Sequence, residues 1–315
     1  MKRKSILVCL FVFSLMTGLM TVSSDAATPR RTAQKARTST VKKSPELPGT
    51  LGRDVFTSIV RKVNLKYTGN DEDNAKYVTY DINIKWPTDI RLSGTGGSGA
   101  IAEMNRHKSR VEEIQALMAY ALLDEYGTSD IKSEINKLIA PDKNYKVVKS
   151  VPSSAYDLMS EFPPADVKIS VKPYMSCNKW ICFELQNITT QGNGCDGNTK
   201  WIIIPRNQAL WKRTDITLIS ALQYSNYTDK VGSPHLNRIL ALIKTAAQKD
   251  GSFEWIRNGN NVSVPDAIRP EKTGLSFIYY LHRCSNIDVF VSYEKLKPYI
   301  DAYDILAGGT GWVKY

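Results

Sequence analysis

The sequence predicts an α+β fold: a single domain in which an antiparallel sheet is packed by one long helix, with room for two sublobes near residues 55–150 and 151–315. Three observations predict it. Apolar and polar residues alternate with a period of two in several short runs, among them Tyr77–Trp86 and Gly274–Leu281. One stretch, Ala100–Tyr126, instead carries Ile101, Met104, Val111, Ile114, Leu117, Met118 and Leu122 at helical spacing. Neither an internal repeat nor a second linker divides the remaining chain, and 315 residues suffice for a sizeable core.

Taken in order, Val55–Tyr67 reads as a first strand, the polar turn Asn70–Asp73 follows, and Val78, Tyr80, Ile82 and Ile84 mark a returning strand. A hairpin is the natural connection. Pro87 ends the second strand, and a glycine-rich segment leads to the long helix, which Gly127 ends. Ser129–Ile139 is predicted as a second, short helix. Val167–Val171 and Trp180–Leu185 flank a turn at Ser176–Lys179, and a loop over Gln191–Asn198 precedes a buried strand at Trp201–Ile204. Ser233 and Pro234 cap a helix carrying Leu236, Ile239, Leu240, Ile243 and Ala247, with Gly251 beyond its end. Ser252–Lys272 is irregular. Gly274–Ile300 then reads as strand, turn, strand and helix, a structural anchor whose aromatic face is expected on the long helix.

The chain begins with MKRK, an apolar run and then SSDAA, the order of a secretory signal peptide cleaved after Ala26. An exported protein, periplasmic or extracellular, is expected. Residues 27–47 form a basic tail rich in Thr, Ser, Pro and Ala, with the composition of a disordered spacer. The formal charge of +11 is concentrated there: residues 1–26 hold three basic side chains and one acidic, residues 27–47 six and one, leaving +4 for the body at 48–315. That distribution argues against a nucleic-acid partner. It confines membrane contact to the signal segment or the tail. Four cysteines follow the signal, Cys177, Cys182, Cys195 and Cys284, an even number that suits an oxidising compartment and leaves three pairings open. Cys177 and Cys182 fall in or beside one hairpin, where a local bridge is expected.

No motif specifies a reaction, so no catalytic residue, cofactor or metal is assigned. Residues 94–99 satisfy G-x-G-x-x-G, but the strand before them ends at Pro87 and no lysine-serine pair follows, so a flexible connection is the better reading. His107, His235 and His282 have no metal-ligand spacing. Glu184 and Asp196 are the carboxylates available as a hydrolytic pair, yet a strand glutamate and a loop aspartate are ordinary surface residues. Among the tryptophans, Trp312 in AGGTGWVKY is expected to be the exposed ring.

Thr273, Gly274, Leu275, Phe277 and Tyr279, then Ile287–Val291, then Ser292, Tyr293, Leu296, Pro298 and Tyr299 form a glycine-led aromatic strand, a β run and a tyrosine-leucine helix. In this the chain resembles the RsiV-type extracytoplasmic domain of unknown function, found in a lysozyme-sensing anti-sigma factor and beside peptidoglycan deacetylases. Residues 55–305 would be covered, with Trp211–Leu218 and the Ile84–Leu122 region as further support. Two segments depart from the family. Gly192–Gly197 stands where relatives often have a Gly-Ala-His-Gly loop, and His282-Arg283-Cys284 where they have an acidic-apolar segment. Each departure introduces a cysteine, so the resemblance implies a Cys195–Cys284 disulfide if the two segments are neighbours.

The resemblance further implies a non-enzymatic envelope module that binds another macromolecule through loops 192–198 and 282–286. Asn193, Asp196, His282, Arg283 and Trp312 are the candidate binding residues. Lysozyme is one implied partner, but a mildly basic body does not steer a cationic protein, so an unidentified envelope or host protein, or peptidoglycan, stands beside it. A glycan hydrolase using Glu184 and Asp196 is the alternative.

Overall fold

A computed structural model describes residues 50–69, 75–93, 100–123, 128–156, 163–207, 234–281, 284–300 and 303–315. The signal segment, the basic tail, the glycine-rich 94–99, the 211–218 segment, His282 and Arg283 lie outside the described residues. The described residues belong to one compact unit, Ser44–Gly69 with Ala75–Tyr315. Its architecture is α+β.

The strands in chain order are β1 (Thr50–Leu51), β2 (Val55–Tyr67), β3 (Tyr77–Asp89), β4 (Leu92–Ser93), β5 (Tyr145–Val148), β6 (Ala165–Ser176), β7 (Trp180–Gln191) and β8 (Gly194–Pro205), followed by β9 (Arg257–Asn258), β10 (Asn261–Val262), β11 (Ala267–Pro270), β12 (Gly274–Tyr280), β13 (Asn286–Ser292) and β14 (Val313–Lys314). The larger helices are α1 (Ala100–Leu123), α2 (Ile131–Leu138) and α3 (Pro234–Asp250); one-turn helices occur at Phe253–Ile256, Tyr293–Leu296 and Tyr303–Leu306. The main sheet has the order β5-β2-β3-β6-β7-β8, with β14 pairing the end of β6. All its pairings are antiparallel except β3 with β6. That parallel pair arises because α1, α2 and β5 intervene between the two strands, a crossover that returns the chain in the same direction.

Alternation decides which residues face which layer. Val78, Tyr80, Ile82 and Ile84 of β3, Val167, Ile169 and Val171 of β6, and Ile181, Phe183 and Leu185 of β7 share one core with Ile114, Met118 and Leu122 of α1. Lys200 and Asn187 fix the same face, donating to the carbonyls of Ala121 and Leu122 at 2.9 and 3.1 Å. The opposite face of β6–β8 presents Met175, Cys182, Trp201 and Ile203 to a second core. That core is filled by the antiparallel sheet β11-β12-β13 and by α3.

Four sequence expectations change. Pro87 does not end the second strand, because it pairs with Phe56 beside a register shift in β2, and β3 continues to Asp89. The anchor at Gly274–Ile300 packs not with α1 but with α3, in a core on the other face of the sheet, because Phe277, Val289 and Val291 cluster with Leu236, Ile239 and Ile243. The predicted loop Gln191–Asn198 is largely strand: β7 and β8 stay paired to Gln191 and Gly194, leaving Gly192-Asn193 as the turn. Within the supposedly irregular 252–272, β11 completes the small sheet through Ala267↔Ile278 to Pro270↔Leu275.

Candidate functional site

The β7–β8 hairpin ends in Gly192-Asn193, and Cys195 sits opposite Thr190 just behind that tip. Cys284 lies in the connection between β12 and β13, closed by Leu281 N–H donating to Ser285 O at 2.8 Å. The two cysteines form a disulfide with Cα atoms 5.6 Å apart. Cys284 has φ 53°, a left-handed backbone that a side chain tolerates only where its surroundings hold it. The bridge therefore joins the two segments that the family resemblance singles out. Gly197 adds rigidity at the tip: its φ of 99° is glycine territory, and a Cβ there would collide with the Asn187 carbonyl of the facing strand.

Around the bridge, Asn193 and Asp196 are exposed. The Asp196 carboxylate accepts from Gly197 N–H at 2.8 Å, which orients it. His282 and Arg283 lie outside the described residues. Trp312 is elsewhere and is not the exposed ring expected from the sequence. It packs edge-to-face on Trp180 with ring centroids 5.4 Å apart, while Trp255 is the 70% exposed tryptophan. The glycines around Trp312 serve close packing, since Gly309 lies against Cys177 Sγ and a Cβ would not fit.

The predicted Cys177–Cys182 bridge is absent; both are buried free thiols. The register explains why. Cys177 N–H donates to Trp180 O, whereas Cys182 pairs with Met175, so the two cysteines are diagonal on one face. Diagonal neighbours are roughly 7–8 Å apart, beyond disulfide reach. Burial pushes both thiols up, Cys182 further because Glu184 and Glu271 add negative charge. Neither is poised as a nucleophile.

Glu184 and Asp196 do not form a pair either. Glu184 faces Trp201 while Asp196 faces Thr189, five positions along β8 and on the opposite side of the sheet. The separation is about 17 Å along the strand, against roughly 5–9.5 Å for glycosidase carboxylates. Glu184 is instead tied to Lys172 at 2.8 Å. Nearby, Arg269 bonds Glu271 at 2.8 Å and Asp288 at 2.7 Å, with its guanidinium 5.6 Å from the Trp201 ring centre. Tyr174 donates to Glu271 at 3.2 Å. These contacts clamp the small sheet onto the main one.

Sequence reasoning missed that clamp and a second node. Arg206, 2% exposed, makes two bonds to Asp54 at 2.9 and 2.7 Å and donates to Cys177 O and Arg91 O at 2.8 and 2.9 Å. Nothing local marks it, because its carboxylate is 152 residues away. His107 is a hydrogen-bonding residue, 2.7 Å from Asp89. Among the described residues, no group of three or more His, Cys, Asp and Glu side chains is arranged to hold a metal ion.

No family model matches the chain, nor does any curated protein. Its structural neighbours are DUF3298 family proteins. It is similar to one from Pseudomonas aeruginosa PAO1, with 8% identity, 81% of this chain and 98% of that chain covered, and a TM-score of 0.41. It is also similar to a member of the family from Bacteroides fragilis NCTC 9343, with 11% identity, 80% and 96% covered, and a TM-score of 0.35. These likenesses describe neither a ligand nor a reaction. The site's own geometry offers a disulfide-tied hairpin tip on which Asn193 and Asp196 are exposed.

Proposed function

We propose that this chain is an exported, non-enzymatic binding module of the bacterial cell envelope, of the RsiV-type kind, which recognises a protein or a wall glycan through the bridged tip. The Cys195–Cys284 disulfide is the observation that carries the reading, because it ties together two segments remote in sequence, and such a constraint lowers the cost of ordering a binding surface. Asn193 and Asp196 supply the hydrogen bonds there, with His282 and Arg283 beside Cys284 in the chain.

The test uses protein recovered from the periplasm or medium of an expressing host, with peptidoglycan sacculi and lysozyme as probes. Retention of one probe above a heat-denatured control is expected, with at least a tenfold weakening in N193A/D196A (about 1.4 kcal/mol). Retention of neither probe overturns the reading, as does turnover of peptidoglycan. N-terminal sequencing of the same protein should begin at Ala27.

A further inference from the structure

We infer that the open half of the main sheet is a docking surface for an acidic polysaccharide, separate from the hairpin tip and additional to the function proposed above. On the face opposite α1, β11–β13 and α3 form the second core with β6–β8, whereas β2 and β3 send most of their buried side chains to the α1 core; Tyr77 and Thr79, at the start of β3, are buried on the opposite face. Ser58, Val60, Lys62, Asp81, Asn83, Lys85 and Lys168 are all exposed there, Val60 at 62%. The pleat aims these side chains outward in parallel.

Register arranges them in rows. Lys62, Asp81 and Lys168 are directly opposite one another on β2, β3 and β6. The adjoining row runs Val60, Asn83, Ser170, Gln186 and Thr199 across five strands. Its last three members are already aligned by hydrogen bonds, Ser170 Oγ to Gln186 Oε1 at 3.1 Å and Gln186 Nε2 to Thr199 Oγ1 at 3.2 Å. The exposed Asn83 amide and the half-buried Ser170 hydroxyl and Gln186 amide can hydrogen-bond the hydroxyls of a sugar chain. The charge has the complementary sign for acidic groups: Lys62, Lys66, Lys85, Lys146 and Lys168 stand on this face against Asp81 and Asp166, apart from the Lys172–Glu184 pair.

Lys62 and Lys168 are two strands apart, about 10 Å. That spacing suits a polymer with one acidic group on every second sugar. A single-stranded nucleic acid fits less well: Tyr156, with its hydroxyl 3.4 Å from Asp166, is a single exposed ring at the edge of this face, whereas successive bases need successive rings.

The experiment measures binding of the full chain to hyaluronan, with neutral dextran as the comparison polymer, over a range of salt. Hyaluronan should bind and dextran should not. K62Q/K168Q should weaken hyaluronan binding at least tenfold and flatten its salt dependence, and N83A should weaken it without changing the salt slope. K132Q/K249Q, an equal loss of charge at exposed lysines of other elements, should leave it unchanged. Equal weakening by the two lysine pairs, loss only on neutralising Arg30, Arg31, Lys42 and Lys43 in the tail, or tighter binding of single-stranded DNA than of hyaluronan would each overturn the inference. None of these substitutions touches Asn193, Asp196 or the disulfide. Failure here and failure of the tip are therefore read separately.

Discussion

Arg206 is the residue on which most of the chain's distant parts converge. Its guanidinium holds Asp54, Arg91 and Cys177 at once, and Ser93 N–H donates to its carbonyl at 2.7 Å. A buried charge of this kind is tolerable because its donors find fixed acceptors. Arg206→Met would leave Asp54 facing a desolvated gap and two carbonyls without their donor. Urea unfolding should show a loss of about 3–5 kcal/mol. An unchanged midpoint would mean that the pair contributes nothing beyond packing. Residues of this type are illegible in sequence, since the arginine and the aspartate are each unremarkable until the fold brings them together. The cysteines show the same limit. Spacing alone favoured Cys177 with Cys182, yet a diagonal register left them apart.

At the scale of elements, β12 is buried on both faces, which is why GLSFIYY is apolar almost throughout rather than cleanly alternating. One face, with Leu275, Phe277 and Tyr279, meets α3, and the other, with Ser276, Ile278 and Tyr280, lies over the main sheet. Burial, then Glu271, pushes Tyr174 of β6 up to about 12, and burial also raises Tyr279, Tyr280 and Tyr293. In the unfolded chain these phenols ionise near 10, so the unfolded state loses protons before the folded state does. Their contribution is therefore complete below pH 10 and is lost as the pH rises towards 12. The urea midpoint should fall between pH 9 and pH 11, and Tyr174→Phe should reduce that fall. A midpoint flat over this range would contradict the burial of these phenols. The elements themselves were largely legible, because β2, β3, β6, β7, β12, β13 and α1–α3 each carry an apolar period long enough to read. β11, four residues ending in proline, had no such period.

For the whole molecule the disulfide is the one covalent tie between the main hairpin and the small sheet among the described residues. It spans a sequence separation of 89. Closing a loop of that length restricts the unfolded chain by about 4–5 kcal/mol in the chain-entropy account. C195A/C284A should lose stability of that order in guanidinium unfolding. Thiol titration of the unreduced wild type after denaturation should find two reactive thiols beyond the signal segment, Cys177 and Cys182, that react slowly or not at all in the native protein. Four thiols would contradict the bridge, and none would contradict the free pair.

The sequence by itself determined the class of the fold, because hydrophobic period is a local property that each element carries alone. Its resemblance to the RsiV-type domain also pointed to Cys195 and Cys284, the two cysteines that now meet. What it did not decide was which surfaces face each other. Whether Glu184 stands near Asp196, whether Cys177 reaches Cys182, which tryptophan is exposed, and what covers the aromatic strand depend on strand order and register. Those are set by contacts between residues as far apart as Asp54 and Arg206, and only the tertiary structure resolves them.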